Sequence, residues 1–249
     1  MPQILWFYKP VKLVECYLIV QNTHMINLRQ FAELHRTFSG SEYGQELGKN
    51  VRYERYKPDS VSNKEWVELL GRDVSNLEHL RLTYDLTVAF VRHSEEHQPD
   101  LLDDTDKAAL LLAGVSHDWG EALTGDISYG DKTLDDDEKE RIAFAKVASD
   151  LFPADVDRFR RVQEVAFDHN GDGDRLGRIF STIECLGYMR TALTAVDRLD
   201  LGDDSVQPVE LQEGLEWLIT DVLLNTTQKL VAQTKEYSAV DAAAYLNAE

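Results

Sequence analysis

Two histidines and two acidic residues stand out because their types and spacing could bind a metal ion. His117 and Asp118 are adjacent, Glu121 follows three residues later, and His79 lies upstream in a segment of helical periodicity. Imidazole nitrogens and carboxylate oxygens suit divalent ions, and three or four such ligands leave coordination positions open for water and a substrate. Each residue alone is more simply explained as a hydrogen-bonded core residue. Together they predict a metal site open to substrate.

Helices must position these residues, because the apolar periodicity is helical from about residue 63 almost to the end. His79, Leu82 and Phe90 share one face of a predicted helix over about 74–96, so His79 points inward. A second apolar run, 108–115, also predicts a helix, and the His-Asp pair lies at its C-terminal end. Further helices are predicted at about 135–151, 154–168, 176–199, 207–233 and 238–247.

The helical pattern and the scarcity of strand-like alternation after residue 60 predict an all-α helical bundle. Residues 61–249 form one predicted domain, and residues 1–60, which are richer in aromatic and basic residues, form an N-terminal extension packed on it. At 249 residues with 43% hydrophobic content, the chain can bury a substantial core.

The strongly acidic composition excludes several kinds of partner. Lys and Arg number 26 against 45 Asp and Glu, a formal net charge of −19. Such a chain lacks the basic face that a nucleic acid polymer or an anionic membrane requires, so a small molecule is the expected partner. Cys16 and Cys185 form no CxxC pair, and no signal or membrane segment is recognisable. We therefore expect a cytoplasmic protein.

The decamer HDWGEALTGD, residues 117–126, resembles a known family. The HD-domain metal-dependent phosphohydrolases are named for this His-Asp pair, and their 5′-deoxynucleotidase branch has the pattern HD, two residues, E, two residues, TGD. Glu78-His79 is similar to the Glu-His that opens the first ligand helix of the family. Lys132 falls where the loop of that branch carries a lysine. The resemblance covers about residues 70–200.

The resemblance implies a helical bundle that binds one divalent metal ion, which could be Mn, Co, Fe, Ni, Zn or Mg. His79, His117 and Asp118 would be ligands, together with a later acidic residue. Glu184 lies at about the distance that the family's final ligand keeps from the His-Asp pair, although that ligand is usually Asp. Asp197, within an Asp-x-Leu sequence typical of the family, is the alternative. The spacing favours Glu184.

The resemblance also implies roles for residues around the metal. Glu121 would be the acid/base beside the attacked phosphate. Asp126 would contact the substrate sugar or order its loop, and its alternative explanation is a turn-forming residue. Arg72 and Lys132 are the candidate phosphate-binding cations, with Arg81 behind them. In an acidic protein each of these cations is also explained by an exposed surface position.

Three further patterns have simpler structural explanations than a functional site. Residues 168–174 resemble the start of an EF-hand loop, but the twelfth position is Ile179 and not Glu, so a Gly/Asp-rich turn explains them better. His93 and His97 have a metal-binding helical spacing but lie on a polar, solvated face. Trp119 could stack on a base, and a core position is the simpler interpretation.

The function that the resemblance implies is hydrolysis of the phosphate ester of a small-molecule nucleotide, with a deoxynucleoside 5′-monophosphate as the first choice. The alternative is a deoxynucleoside triphosphate triphosphohydrolase, which would need more cations than Arg72 and Lys132. A second alternative, from another class, is a non-catalytic nucleotide-binding protein. A homodimer or higher homo-oligomer is common in the family, and no sequence feature tests it here.

Overall fold

Ten α-helices make up most of the chain that the computed structural model describes, residues 28–71, 74–127, 132–167, 175–200 and 209–234. Two short 3-10 turns accompany them, Glu54–Tyr56 and His117–Gly120. The helices are α1 (Leu28–Ser39), α2 (Glu42–Leu47), α3 (Asn63–Leu70), α4 (Asn76–His97), α5 (Asp104–Ser116), α6 (Glu121–Thr124), α7 (Leu134–Leu151), α8 (Val156–Phe167), α9 (Arg175–Asp200) and α10 (Val209–Thr234). Within these ranges there is no strand, which confirms the predicted all-α fold.

The predicted helices agree closely with α4, α5, α7, α8, α9 and α10. The predicted helix at 238–247, the Gly/Asp-rich segment 168–174 and Arg72 lie outside the described residues. No helix in the described part of the chain is long and apolar enough to cross a membrane.

The larger hydrophobic core surrounds α5 and includes part of the N-terminal extension. Phe31 and Phe38 of α1 are fully buried, and the Phe38 ring stacks on Trp119 with the centroids 4.8 Å apart. Trp119 is itself fully buried, which confirms its core interpretation. Burying each of these rings stabilises the fold by roughly 1.5 to 3 kcal/mol. The extension therefore supports the turn that carries His117 and Asp118.

A second core joins α3, α9 and α10. Trp66 and Leu70 of α3 pack with Ala192 of α9 and with Leu215 and Leu218 of α10, and all five are buried. Because α9 carries residues of both cores, it connects the two halves of the bundle. This arrangement brings Glu184, the predicted late ligand, towards the His-Asp pair.

Side-chain caps explain where two of the site-forming helices begin. Asp103 accepts a hydrogen bond from the backbone N–H of Asp106 at 2.8 Å, which starts α5. Thr133 and Asp136 form a reciprocal capping box at the start of α7. Such caps satisfy backbone donors that a helix start leaves unpaired. The capping box also fixes the start of α7 next to Lys132.

The 3-10 turn after α5 packs directly on α7 because residue 120 is glycine. A Cβ added at Gly120 would lie 2.6 Å from the carbonyl oxygen of Glu140. We expect Gly120→Ala to lower the free energy of unfolding by about 1 to 3 kcal/mol, because backbone must move to admit the methyl group. Chemical denaturation measures this change. Gly187→Ala is the control, because its Cβ would make only ordinary contacts, the nearest at 3.7 Å from Leu86 Cδ1. Equal stability of the two variants would contradict the close packing.

Candidate metal centre

The His-Asp pair lies on a break between two helices. The α5 helix ends at Ser116, residues 117–120 form a 3-10 turn, and α6 begins at Glu121. Sequence reasoning placed Glu121 on the side of His117 if the helix continued, and the helix does not continue as an α-helix. Glu121 nevertheless points inward, with 7% of its surface exposed. Although the helix changes type at residue 117, the side chains of His117, Asp118 and Glu121 are all buried in the interior.

Three predicted ligands come together in the interior. His79 from α4 meets His117 and Asp118 from the 3-10 turn, and one donor atom from each lies within 4.8 Å of the others. His79 Nε2 is 3.7 Å and His117 Nε2 is 3.2 Å from the carboxylate oxygens of Asp118. All three residues are buried. This buried group could hold a metal ion.

The hydrogen bonding of His117 fits a metal ligand. Its Nδ1 lies 3.2 Å from the carbonyl oxygen of Ala113, and since a carbonyl can only accept, Nδ1 carries the proton. The lone pair is then on Nε2, a buried atom for which no hydrogen-bond partner exists among the described residues. Ligating histidines are usually held in this way by a bond at the other ring nitrogen.

Burial keeps His79 in its neutral form. Desolvation lowers the pKa of His79 well below its ordinary value, and the nearby Arg52 and His117 lower it further. A neutral imidazole has a free lone pair and is the form that binds metals. His79 and His117 are therefore both suited to the ligand role.

Of the two predicted fourth ligands, the structure brings only Glu184 to the cluster. Its Oε1 atom is 3.8 Å from His117 Nε2, and its side chain is 9% exposed. Asp197 lies further along the same helix, α9, and is exposed. The geometry therefore favours Glu184, as the spacing did.

We expect Glu184→Gln to weaken metal binding by at least about 10-fold, because a neutral amide replaces a carboxylate beside the ion. Asp197→Asn should leave the affinity within about 2-fold of the wild type. Isothermal titration of the metal-stripped protein with Mn²⁺ measures both. The opposite ranking would make Asp197 the ligand.

Further acidic side chains lie near the histidines, and burial raises the pKa of three of them. Glu121, Glu140 and Asp118 form a second buried group with oxygen atoms within 4.8 Å of one another. Burial raises the pKa of Glu121 well above its ordinary value, with Asp118 and Asp126 adding to the effect. Burial also raises the pKa of Asp126 and of Glu140. The site thus favours protons or cations near these groups.

Gly125 turns the chain so that Asp126 faces this region. The α6 helix ends at Thr124, and Gly125 has φ 78°, a left-handed conformation that favours glycine. Asp126 is half-buried and lines the cavity described below. Its contact with a substrate sugar stays a prediction.

Arg52 is the main site residue that sequence reasoning missed. Its Nη1 atom donates to Asp118 Oδ2 at 3.1 Å, and its guanidinium carbon lies 5.5 Å from the ring centroid of Tyr188. The Arg52 backbone N–H donates to the Val74 carbonyl, which ties this segment to the start of α4. No motif or spacing marks Arg52, because it comes from the extension. Arg81, in contrast, pairs with Glu78 and does not line the cavity.

Lys132 is held by two acidic residues. Its Nζ atom is paired with Glu140 and lies 3.2 Å from Asp137 Oδ1. Burial alone would lower the pKa of Lys132, but these two carboxylates outweigh it and raise the pKa. Glu140 lies on α7, beyond the motif, so that sequence reasoning did not identify it.

A cavity of about 530 Å³ opens on these residues, a size typical of small-molecule sites. The acidic and basic side chains of its lining are six carboxylic acids and four Arg or Lys residues, namely Asp118, Glu121, Asp126, Asp137, Glu140 and Glu184 with Arg52, Arg55, Lys132 and Lys229. Carboxylates thus outnumber cations in a partly buried space, and their mutual repulsion favours protonation of some of them or the binding of a cation.

Comparisons with known proteins add nothing to this geometry. No family model matches the chain, and neither the curated proteins nor the solved structures contain a match. The resemblance to the HD-domain phosphohydrolases therefore depends on the motif residues themselves.

Proposed function

We propose that this protein is a metal-dependent phosphohydrolase of the HD type that releases phosphate from deoxynucleoside 5′-monophosphates. The observation that carries the proposal is the buried group of His79, His117 and Asp118, in which His117 Nε2 has no hydrogen-bond partner among the described residues. The HDxxExxTGD pattern supports the nucleotide as substrate.

The four proposed ligands are His79, His117, Asp118 and Glu184. A divalent ion bound there would polarise a phosphoryl oxygen and make water a better nucleophile. The mixed imidazole and carboxylate set suits several transition metals and does not select one.

Arg52 and Lys132 are the proposed phosphate-binding groups. Both line the cavity, and both are paired with carboxylates there, Arg52 with Asp118 and Lys132 with Glu140. These ion pairs hold the two positive charges in the cavity lining before a substrate binds. A phosphate dianion would be bound by cations that are already positioned.

Glu121 is the proposed acid for the leaving oxygen. Burial and the neighbouring Asp118 and Asp126 raise the pKa of its carboxyl group, which makes the protonated form more accessible than in an exposed glutamate. A protonated carboxyl can donate a proton to the 5′-oxygen as the phosphorus–oxygen bond breaks. Asp126, close by in the cavity lining, is the proposed contact to the sugar.

A deoxynucleoside triphosphate triphosphohydrolase is the second candidate, and one observation favours it. Sequence reasoning identified too few cations for a triphosphate, whereas the cavity lining also includes Arg52, Arg55 and Lys229. Arg55, however, is paired with Asp221 on α10, and the six carboxylates oppose a long anionic tail. The monophosphate therefore remains the first choice.

The test incubates metal-stripped protein, with Mn, Co or Mg restored, with each deoxynucleoside and ribonucleoside mono- and triphosphate. Released phosphate and triphosphate are measured separately. Phosphate from the monophosphates supports the first proposal, and triphosphate supports the second candidate. Bound metal without turnover of any nucleotide would overturn both and leave the non-catalytic nucleotide-binding alternative.

A further inference from the structure

Two asparagines hold Glu121 from different directions. Asn76 Nδ2 donates to the Glu121 side chain at Oε2, and Asn50 Nδ2 donates to the Glu121 backbone carbonyl at 3.3 Å. Asn76 is fully buried and Asn50 is half-buried. The carboxyl group and the backbone of Glu121 are thus both fixed from outside its own motif.

The backbone around these asparagines is itself tied together. Asn76 is the first residue of α4, and its N–H donates to the Asn50 carbonyl at 3.3 Å. Next to it, the N–H of Arg52 donates to the Val74 carbonyl at 2.7 Å. These bonds accompany the isolated antiparallel bridge between Val51 and Ser75. A helix start and a bridge therefore hold Asn76 in place, which is the rigidity that a positioning residue needs.

Packing alone does not account for Asn76. Its Oδ1 atom is buried and finds no hydrogen-bond partner among the described residues. An unsatisfied buried carbonyl is unfavourable, and an apolar residue of similar volume would avoid it. The favourable interaction of this side chain is the bond from Nδ2 to Glu121.

We propose that Asn76 is a positioning residue that holds Glu121 Oε2 and thereby presents Oε1 to the leaving group of the substrate. This inference depends on the proposed phosphohydrolase function. The ester oxygen–phosphorus bond breaks, the oxygen of a water molecule bonds to phosphorus, and the proton on Glu121 Oε1 passes to the leaving alcohol oxygen. The proton that the water loses restores the carboxyl group.

The test compares two leaving groups in Asn76→Leu. A deoxynucleoside 5′-monophosphate needs a proton on its leaving alkoxide, whereas p-nitrophenyl phosphate leaves as a stable phenolate. We expect kcat for the nucleotide to fall about 10- to 100-fold, since a small displacement of a reacting group has effects of this size. For p-nitrophenyl phosphate kcat should fall less than about 3-fold, and KM for the nucleotide should change little.

Asn63→Leu is the matched control, because Asn63 is the exposed first residue of α3 and also follows a serine at the N-cap. Its kcat for both esters should equal that of the wild type. In a Glu121→Gln background, Asn76→Leu should add less than about 2-fold to the loss, because both changes act through one carboxyl group. Metal stoichiometry, measured by elemental analysis, should stay at one ion per chain in Asn76→Leu.

The outcomes separate this inference from the proposed function. Equal losses for both esters, unchanged kcat for the nucleotide, or full additivity with Glu121→Gln would overturn the role of Asn76 in an otherwise active enzyme. A wild type that binds metal and turns over neither ester would overturn the proposed function and this inference with it.

Discussion

Asp118→Ala is expected to abolish metal binding and turnover together. Asp118 lies between the two histidines, with its oxygens 3.2 Å from His117 Nε2 and 3.7 Å from His79 Nε2. Its removal also leaves the half-buried Arg52 guanidinium near the histidines without its ion pair to Asp118. Both effects disfavour a divalent ion. Because loss of an outer partner of a ligand already costs about 10- to 100-fold, we expect at least a 100-fold loss of metal affinity and of kcat/KM.

Elemental analysis and calorimetric titration measure the metal, and phosphate release measures turnover. Metal ions should also raise the Tm of the wild type, since a ligand at 100 times its Kd stabilises the folded state by about 2.7 kcal/mol. Asp118→Ala and the isosteric Asp118→Asn should lack this rise while remaining folded.

His97→Ala is the control for these variants, since His97 is exposed at the end of α4, the helix that carries His79. It should bind metal like the wild type. One bound ion per chain in Asp118→Ala, at wild-type affinity, would show that the buried group is not the metal site.

Glu121→Gln is expected to lower kcat for deoxynucleoside monophosphates by about 10²- to 10⁴-fold, the usual contribution of a positioned acid. Glutamine has nearly the same volume and cannot transfer a proton to the leaving oxygen. Glu121 is not one of the four proposed ligands, so the variant should still bind one metal ion. Steady-state kinetics on the loaded protein measure the change.

Glu138→Gln provides the matched comparison, because Glu138 is an exposed residue of α7 that lies 3.9 Å from Arg141 Nε. Its kcat should be that of the wild type. A Glu121→Gln variant with unchanged kcat would exclude the acid role, and one that loses its metal would make Glu121 a ligand.

Most of the candidate site could be predicted because its motif is short. His117, Asp118 and Glu121 lie within five consecutive residues, so their proximity follows from local structure. His79 was identified by its place on an apolar helix face, and Glu184 by its distance along the chain from the pair. In the structure His79, His117 and Asp118 come together, and of the two predicted late ligands on α9 only Glu184 lies beside His117.

The residues that sequence reasoning missed reach the site over long separations. Arg52 contacts Asp118 across 66 positions, and Asn76 contacts Glu121 across 45. Neither belongs to a motif, and an arginine or asparagine in an acidic chain is usually a surface residue. Only the pairing of the extension with the start of α4 gives them their role.

The sequence by itself determined the helices and the inward faces that carry the proposed metal ligands, because periodicity, caps and the motif act within a few turns of chain. The tertiary structure decided which charges share the cavity. Burial raised the pKa of Glu121 and lowered that of His79, and packing brought Arg52 from the extension to Asp118. These effects depend on the distances between separate helices and on the exclusion of water, which local sequence does not encode.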